Sequence, residues 1–158
     1  MSEERDRTII YRYTFMLNDG KEKAFELHLD RKTLGILPVK QKSHPHWASL
    51  TCRQCPNCPL HKADYPNCPI AINILDLVDF FNDALSYEEV DLRITTDERS
   101  YVKRTKMSDA ISSLLGIYMV TSGCPVMDKL RPMVRFHLPL ATADETTFRV
   151  LAMYLMAQ

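Results

Sequence analysis

Thr8-Ile9-Ile10-Tyr11-Arg12-Tyr13-Thr14-Phe15-Met16-Leu17-Asn18-Asp19-Gly20 is the stretch on which the fold turns. Ile9, Tyr11, Tyr13, Phe15 and Leu17 recur at every second position, the period of a strand with one buried face. Asn18-Asp19-Gly20 then supplies a turn, because Asp-Gly tolerates the positive φ angles of a tight hairpin. Residues 21–30 bring the chain back with Phe25, Leu27 and Leu29 on one face. The pattern predicts a β-hairpin over residues 8–30. His28 falls on its polar face and reads as a surface residue, not a ligand.

A second hairpin is expected further along. Val90, Leu92 and Ile94 alternate with Glu89, Asp91 and Arg93, residues 96–99 turn, and residues 101–106 return. The acidic residues of one strand can face Arg104 and Lys106 of the other, which accounts for the charges without a ligand. Helices fill the rest. Pro69 suits a first helical position, and Ile70, Ile74, Leu77 and Phe81 follow at helical spacing, with Asp76 and Asp79 on the wetter side. Ser108 reads as an N-cap for a helix marked by Ile111, Leu114, Leu115 and Tyr118 that stops near Gly123. Cys124-Pro125 opens a short helical turn that Arg131-Pro132 should end. Thr142 and Glu145 form a capping box before a last helix with Phe148, Leu151, Ala152 and Leu155 on one face.

Together these elements predict one α+β domain over residues 1–158. Two β-hairpins form an antiparallel sheet accompanied by three main helices and a cysteine-rich metal-binding loop. Residues 8–39 make the N-terminal hairpin region, 40–69 the loop, and 70–158 the helix, hairpin and remaining helices. The last helix has no C-cap before Gln158, so the chain is expected either to be a C-terminally truncated fragment or to dock that helix on a protein partner.

Composition narrows the class. The chain has 158 residues, 46% of them hydrophobic and 25% charged, enough to bury a core without disulfide staples. Lys and Arg equal Asp and Glu at 20 each, so no global field draws the protein to nucleic acid or to an anionic membrane. The polar residues 1–8 lack the apolar core of a signal peptide, and no apolar run is long enough to span a bilayer. A cytoplasmic location is expected, where clustered cysteines serve more often as metal ligands than as disulfides.

Four of the five cysteines, Cys52, Cys55, Cys58 and Cys68, fall close together, spaced x2, x2 and x9. Thiolate is the soft ligand of zinc and of iron–sulfur clusters, and thiols at intervals of three can turn toward one centre. Cys55-Pro56-Asn57-Cys58 resembles half of a zinc knuckle, although Pro59 stands where a glycine commonly follows. The run 52–58 equally resembles the first three ligands of a bacterial ferredoxin, with the fourth spacing stretched to nine residues. Zinc is the favoured cofactor, a [4Fe-4S] cluster the alternative, and free thiols or disulfides the bland reading. His44, His46 and Trp47, in the preceding loop with Lys40 and Lys42, lie near enough in sequence to add a ligand or a cover. Cys68 and Cys124 each precede a proline at an expected helix start, where backbone N–H groups favour thiolate. Cys124 is thus a possible additional ligand, with a small buried hydrophobe as its plainer role.

The run 122–130 (Ser-Gly-Cys-Pro-Val-Met-Asp-Lys-Leu) and the run 135–140 (Arg-Phe-His-Leu-Pro-Leu), together with the cysteines, resemble stretches of a family of uncharacterised bacterial proteins. That resemblance implies no activity. The residues themselves support a metal-binding protein with a binding or regulatory role and no enzymatic one. An iron–sulfur redox or sensing protein is the second reading. A thiol enzyme using Cys124, with His137 or His61 as base, is the third. No phosphate-binding glycine loop and no nucleophile elbow is present.

Overall fold

A computed structural model describes residues 7–37 and 44–158. Lys40 and Lys42 lie outside the described residues. Strands β1 (Thr8–Met16) and β2 (Glu22–Asp30) form the first hairpin, with Gly20 at φ +81° in its turn, the conformation that glycine adopts without steric cost. Strands β3 (Glu89–Thr95) and β4 (Ser100–Lys106) form the second. The two join edge to edge through β1 and β3, giving one antiparallel sheet in the order β2-β1-β3-β4.

Register explains which face is buried. Phe25, Tyr13, Ile94 and Tyr101 stand opposite one another across the four strands, and Lys23, Phe15, Leu92 and Lys103 form the adjacent row. Tyr13, Phe15, Leu92 and Ile94 are fully buried on this side, while the other face carries Arg12, Glu26, Asp91 and Arg104 in exposed ion pairs. Such exposed pairs contribute little to stability. The apolar face is covered by helix α3 (Met107–Thr121), which buries Ala110, Leu114, Ile117 and Tyr118, and by the short helices α1 (Pro69–Asn73) and α2 (Leu75–Phe80). Phe15, Phe25, Phe80 and Phe81 meet in an aromatic cluster with ring centroids 4.8–6.3 Å apart. Edge-to-face packing of this kind adds to simple burial.

Three local expectations need correction. The helix expected after Cys68 breaks at Ile74 (φ −87°, ψ 0°) into α1 and α2. The Asn73 side-chain amide bonds the carbonyls of Pro69 and Ser122, and a side chain that competes for backbone carbonyls weakens a continuous helix. Helix α3 begins at Met107, and Ser108 is not its N-cap. The N–H groups of Met107 and Ser108 are satisfied by the carbonyls of Glu88 and Ser86 at 2.8 and 2.9 Å, so no capping side chain is needed. Pro132 does not end the turn after Cys124: a 3₁₀ segment runs through Met127–Phe136.

Runs of 3₁₀ structure longer than three or four residues are uncommon, and arginines hold this one. Arg131 and Arg135 reach out to the carbonyls of Thr33 and Arg31. Arg149, in helix α4 (Ala143–Met156), donates to the carbonyls of Met133 and Phe136 at 3.0 and 2.6 Å. The start of α4 follows the expected capping box, with Thr142 Oγ1 accepting from the Glu145 N–H at 3.2 Å and Glu145 Oε2 accepting from the Thr142 N–H at 2.7 Å.

Candidate functional site

The cysteine loop departs from the body of the fold between Ala48 and Cys68. Its neck is a small antiparallel ribbon: the Cys68 N–H donates to the Ala48 carbonyl at 2.8 Å, and the Leu50 N–H to the Pro66 carbonyl at 3.0 Å. Ser49 and Asn67 form the bridge between these bonds. Inside the loop a turn closes at Cys55–Cys58, where the Cys58 N–H donates to the Cys55 carbonyl at 3.0 Å, and another closes from the Cys52 N–H to the Ser49 carbonyl at 3.0 Å. Gln54 ties the two limbs together through the Leu60 carbonyl.

Ala48, Leu50 and Leu60 are buried at this end of the protein. Cys52 and Cys55 are exposed, Cys58 and Cys68 half-buried, and none of the five cysteines is in a disulfide. Among the described residues no three His, Cys, Asp or Glu side chains gather in an arrangement that holds a metal ion. The loop therefore brings the four thiols into one surface excursion without closing them on a point. His44, His46 and Trp47 are exposed beside the neck.

Cys124 sits elsewhere in the chain's path, after α3, and its near neighbour Ser122 is tied to the segment that follows Cys68. Helix α1 starts immediately after Cys68 and ends at Asn73, whose amide contacts the Ser122 carbonyl two residues before Cys124. Gly123 takes φ +83°, Cys124 is half-buried, and its carbonyl accepts from the Asp128 N–H at 2.9 Å. Among the described residues no hydrogen bond joins Cys124 to His137 or to His61, which is exposed in the cysteine loop.

His137 belongs to a different place. Its ring stands edge-on to Tyr11 at 5.5 Å, and its Nε2 is buried without a hydrogen-bond partner. Burial, helped by the neighbouring Arg149 charge, holds its pKa down at about 4. The Tyr11 hydroxyl donates to the Val134 carbonyl at 2.9 Å, and its own pKa is pushed up to about 12, again mainly by burial. His137 lines a trough of about 580 Å³ between α3, the 3₁₀ segment and α4, within the size range of small-molecule sites. Sequence reading missed this trough, because its walls come from four separate segments.

Residues 9–158 match the model of a protein family described as a domain of unknown function, DUF6901. The chain belongs to DUF6901. The match extends from the first strand to the end of α4, so the cysteine loop, the 3₁₀ segment and the trough are all parts of the DUF6901 domain. The kinship read from the cysteines and from residues 122–130 and 135–140 to a family without an assigned role agrees with this membership. No curated protein and no solved structure matches the chain. Among the described residues, no helix of this DUF6901 domain is long and apolar enough to cross a membrane.

Proposed function

We propose that Cys52, Cys55, Cys58 and Cys68 bind a thiophilic metal ion, structural zinc by preference, and that the protein acts as a binding or regulatory module steadied by that ion. The observation carrying this reading is the concentration of four free thiols in one excursion that is held by backbone hydrogen bonds and buries little apolar surface. Residues 51–67 bury only Leu60 among their side chains, and fixing each backbone residue costs about 1–2 kcal/mol. In support, Cys55 and Cys58 are joined through one hydrogen-bonded turn, and Cys68 stands at the loop's base, where its N–H donates to the Ala48 carbonyl.

Zinc suits such a donor set because it imposes no d-electron geometry and takes four thiolates tetrahedrally. With bonds of about 2.3 Å the sulfurs must approach to roughly 3.5–4 Å, so binding draws the loop inward from its open form. A site closed by four thiolates leaves no position for water, which makes its role structural and not catalytic. Zinc uptake then couples to ordering of this loop, and the rest of the fold persists without it.

Purification without air, followed by metal analysis and a visible spectrum, tests the proposal. One zinc per chain and no colour is the expected result. A broad band near ~400 nm with iron and sulfide would give the site to a [4Fe-4S] cluster instead. Cys55→Ser is expected to release the metal and speed proteolysis within residues 51–67 while leaving the circular dichroism of the sheet and α3 in place. A protein that binds no metal anaerobically, or a Cys55→Ser variant that keeps its full complement, sinks the assignment.

A further inference from the structure

We propose that the trough between α3, the 3₁₀ segment and α4 binds a small amphipathic carboxylate, an apolar body with one anionic head. The floor is apolar, formed by Ile117, Val120, Leu130, Val134 and Leu140. Two observations point to an occupant of this kind.

The first is Gly116. It lies inside the 15-residue helix α3, where glycine is the poorest residue other than proline. Its backbone is not in the left-handed region, and a Cβ built there meets no atom within 4 Å. Neither a turn nor a close approach of the fold requires glycine at this position. Gly116 lines the trough, so its missing side chain leaves room there.

The second is Lys103. Across β3 it stands opposite Leu92, in the row Lys23–Phe15–Leu92–Lys103, so it occupies a helix-facing position of the sheet. At the other end of that row Lys23 is paired with Asp83 at 2.7 Å. Lys103 forms no ion pair among the described residues, and it lines the trough beside Arg149. Arg149 spends Nη2 on two carbonyls and makes no direct ion pair among the described residues. Two acids lie nearby. Glu145 accepts from the Thr142 N–H in the cap of α4 and feels the charges of Lys103 and Arg149 at longer range. Asp109, which also lines the trough, accepts from Thr105 Oγ1 at 3.4 Å, but neither acid makes a direct ion pair with Lys103. A lysine without a direct ion pair beside an apolar floor matches a carboxylate head on an apolar chain, and a planar guanidinium suits carboxylate as well.

Decanoate is the probe, with decanol and decyltrimethylammonium as neutral and cationic counterparts of the same chain. Calorimetric titration of the intact protein should show one saturable decanoate site. Lys103→Met should weaken decanoate binding about tenfold, the worth of one charge-assisted contact, and leave decanol unchanged. Gly116→Leu should abolish binding by filling the trough. Gly116→Ala, which also improves helix propensity, should raise the unfolding midpoint, and this separates loss of the site from loss of the fold. Absence of saturable decanoate binding overturns the proposal, as does a Gly116→Leu variant that binds normally. Equal binding of all three probes overturns the carboxylate assignment.

Discussion

Phe15→Ala is expected to destabilise the protein by about 3–5 kcal/mol, the range for removing a buried aromatic ring and leaving a cavity. Phe15 lies in the inner strand β1, is fully buried, packs edge-on to Phe81 at 5.0 Å and stands opposite Leu92. It is held between two strands and the helices above them, so its surroundings cannot collapse to fill the space. Domains of this size are commonly stable by only about 5–15 kcal/mol, so the variant should be near the edge of folding at 37 °C. Urea unfolding should show a lower midpoint with the slope unchanged, and Phe15→Leu should lose less. A loss under about 1 kcal/mol for Phe15→Ala would mean that the core is not centred on this strand.

Acid should weaken the fold in a window set by His137. Its pKa lies at about 4 in the folded protein against 6.5 for the free side chain, because burial disfavours the imidazolium and Arg149 adds repulsion. The unfolded chain therefore takes up this proton first as pH falls. The stabilisation is complete above pH 6.5, shrinks as pH falls toward 4, and does not change further below that. The shift corresponds to roughly 3 kcal/mol, at most about 3.4, with a slope of about 1.4 kcal/mol per pH unit. Carboxylates act lower: Asp30, held down by the Thr33 N–H and hydroxyl, and Glu145, held down by the Thr142 N–H and hydroxyl, begin to withdraw their contributions as pH falls through the ordinary carboxylate range and finish below it. His137→Phe keeps an aromatic ring against Tyr11 and removes the titration. Its unfolding midpoint should stay level between pH 6.5 and 4.5 while the unmodified protein declines. Parallel profiles would remove His137 as the cause.

The sheet was legible from the sequence because its signals are local. Alternation over β1 and β2 and the Asp19-Gly20 turn specify a hairpin without reference to the rest of the chain, and the found strands agree within a residue or two. The capping box at Thr142 and the stop at Gly123 were legible for the same reason. Errors arose where the deciding partner is distant. Helix α3 takes its first-turn acceptors from Ser86 and Glu88, and the 3₁₀ segment continues past Pro132 because arginines bind it to residues 31–33 and to α4. The spacing of Cys52, Cys55, Cys58 and Cys68 suggested a donor set, but spacing says nothing of whether the sulfurs meet. The trough left two faint traces: a glycine inside an apolar helical pattern and a lysine at a helix-facing strand position. Gly116 and Lys103 acquire meaning only when the register of β3 on β4 and the path of α4 are known.

Each hairpin closes over a few residues, across Gly20 or between Thr96 and Arg99, and needs no other part of the chain. The seam between β1 and β3 is different, because residues 31–88 must be gathered into a loop before Phe15 can reach Leu92. Closure of so long a loop is an entropic barrier paid ahead of any packing reward, and topologies dominated by distant pairings fold slowly. The joining of the two hairpins is therefore expected to limit the folding rate. Because closure entropy grows only logarithmically, by about 0.6 kcal/mol per doubling of loop length, the cysteine-bearing excursion can lengthen or shorten with little effect on that rate.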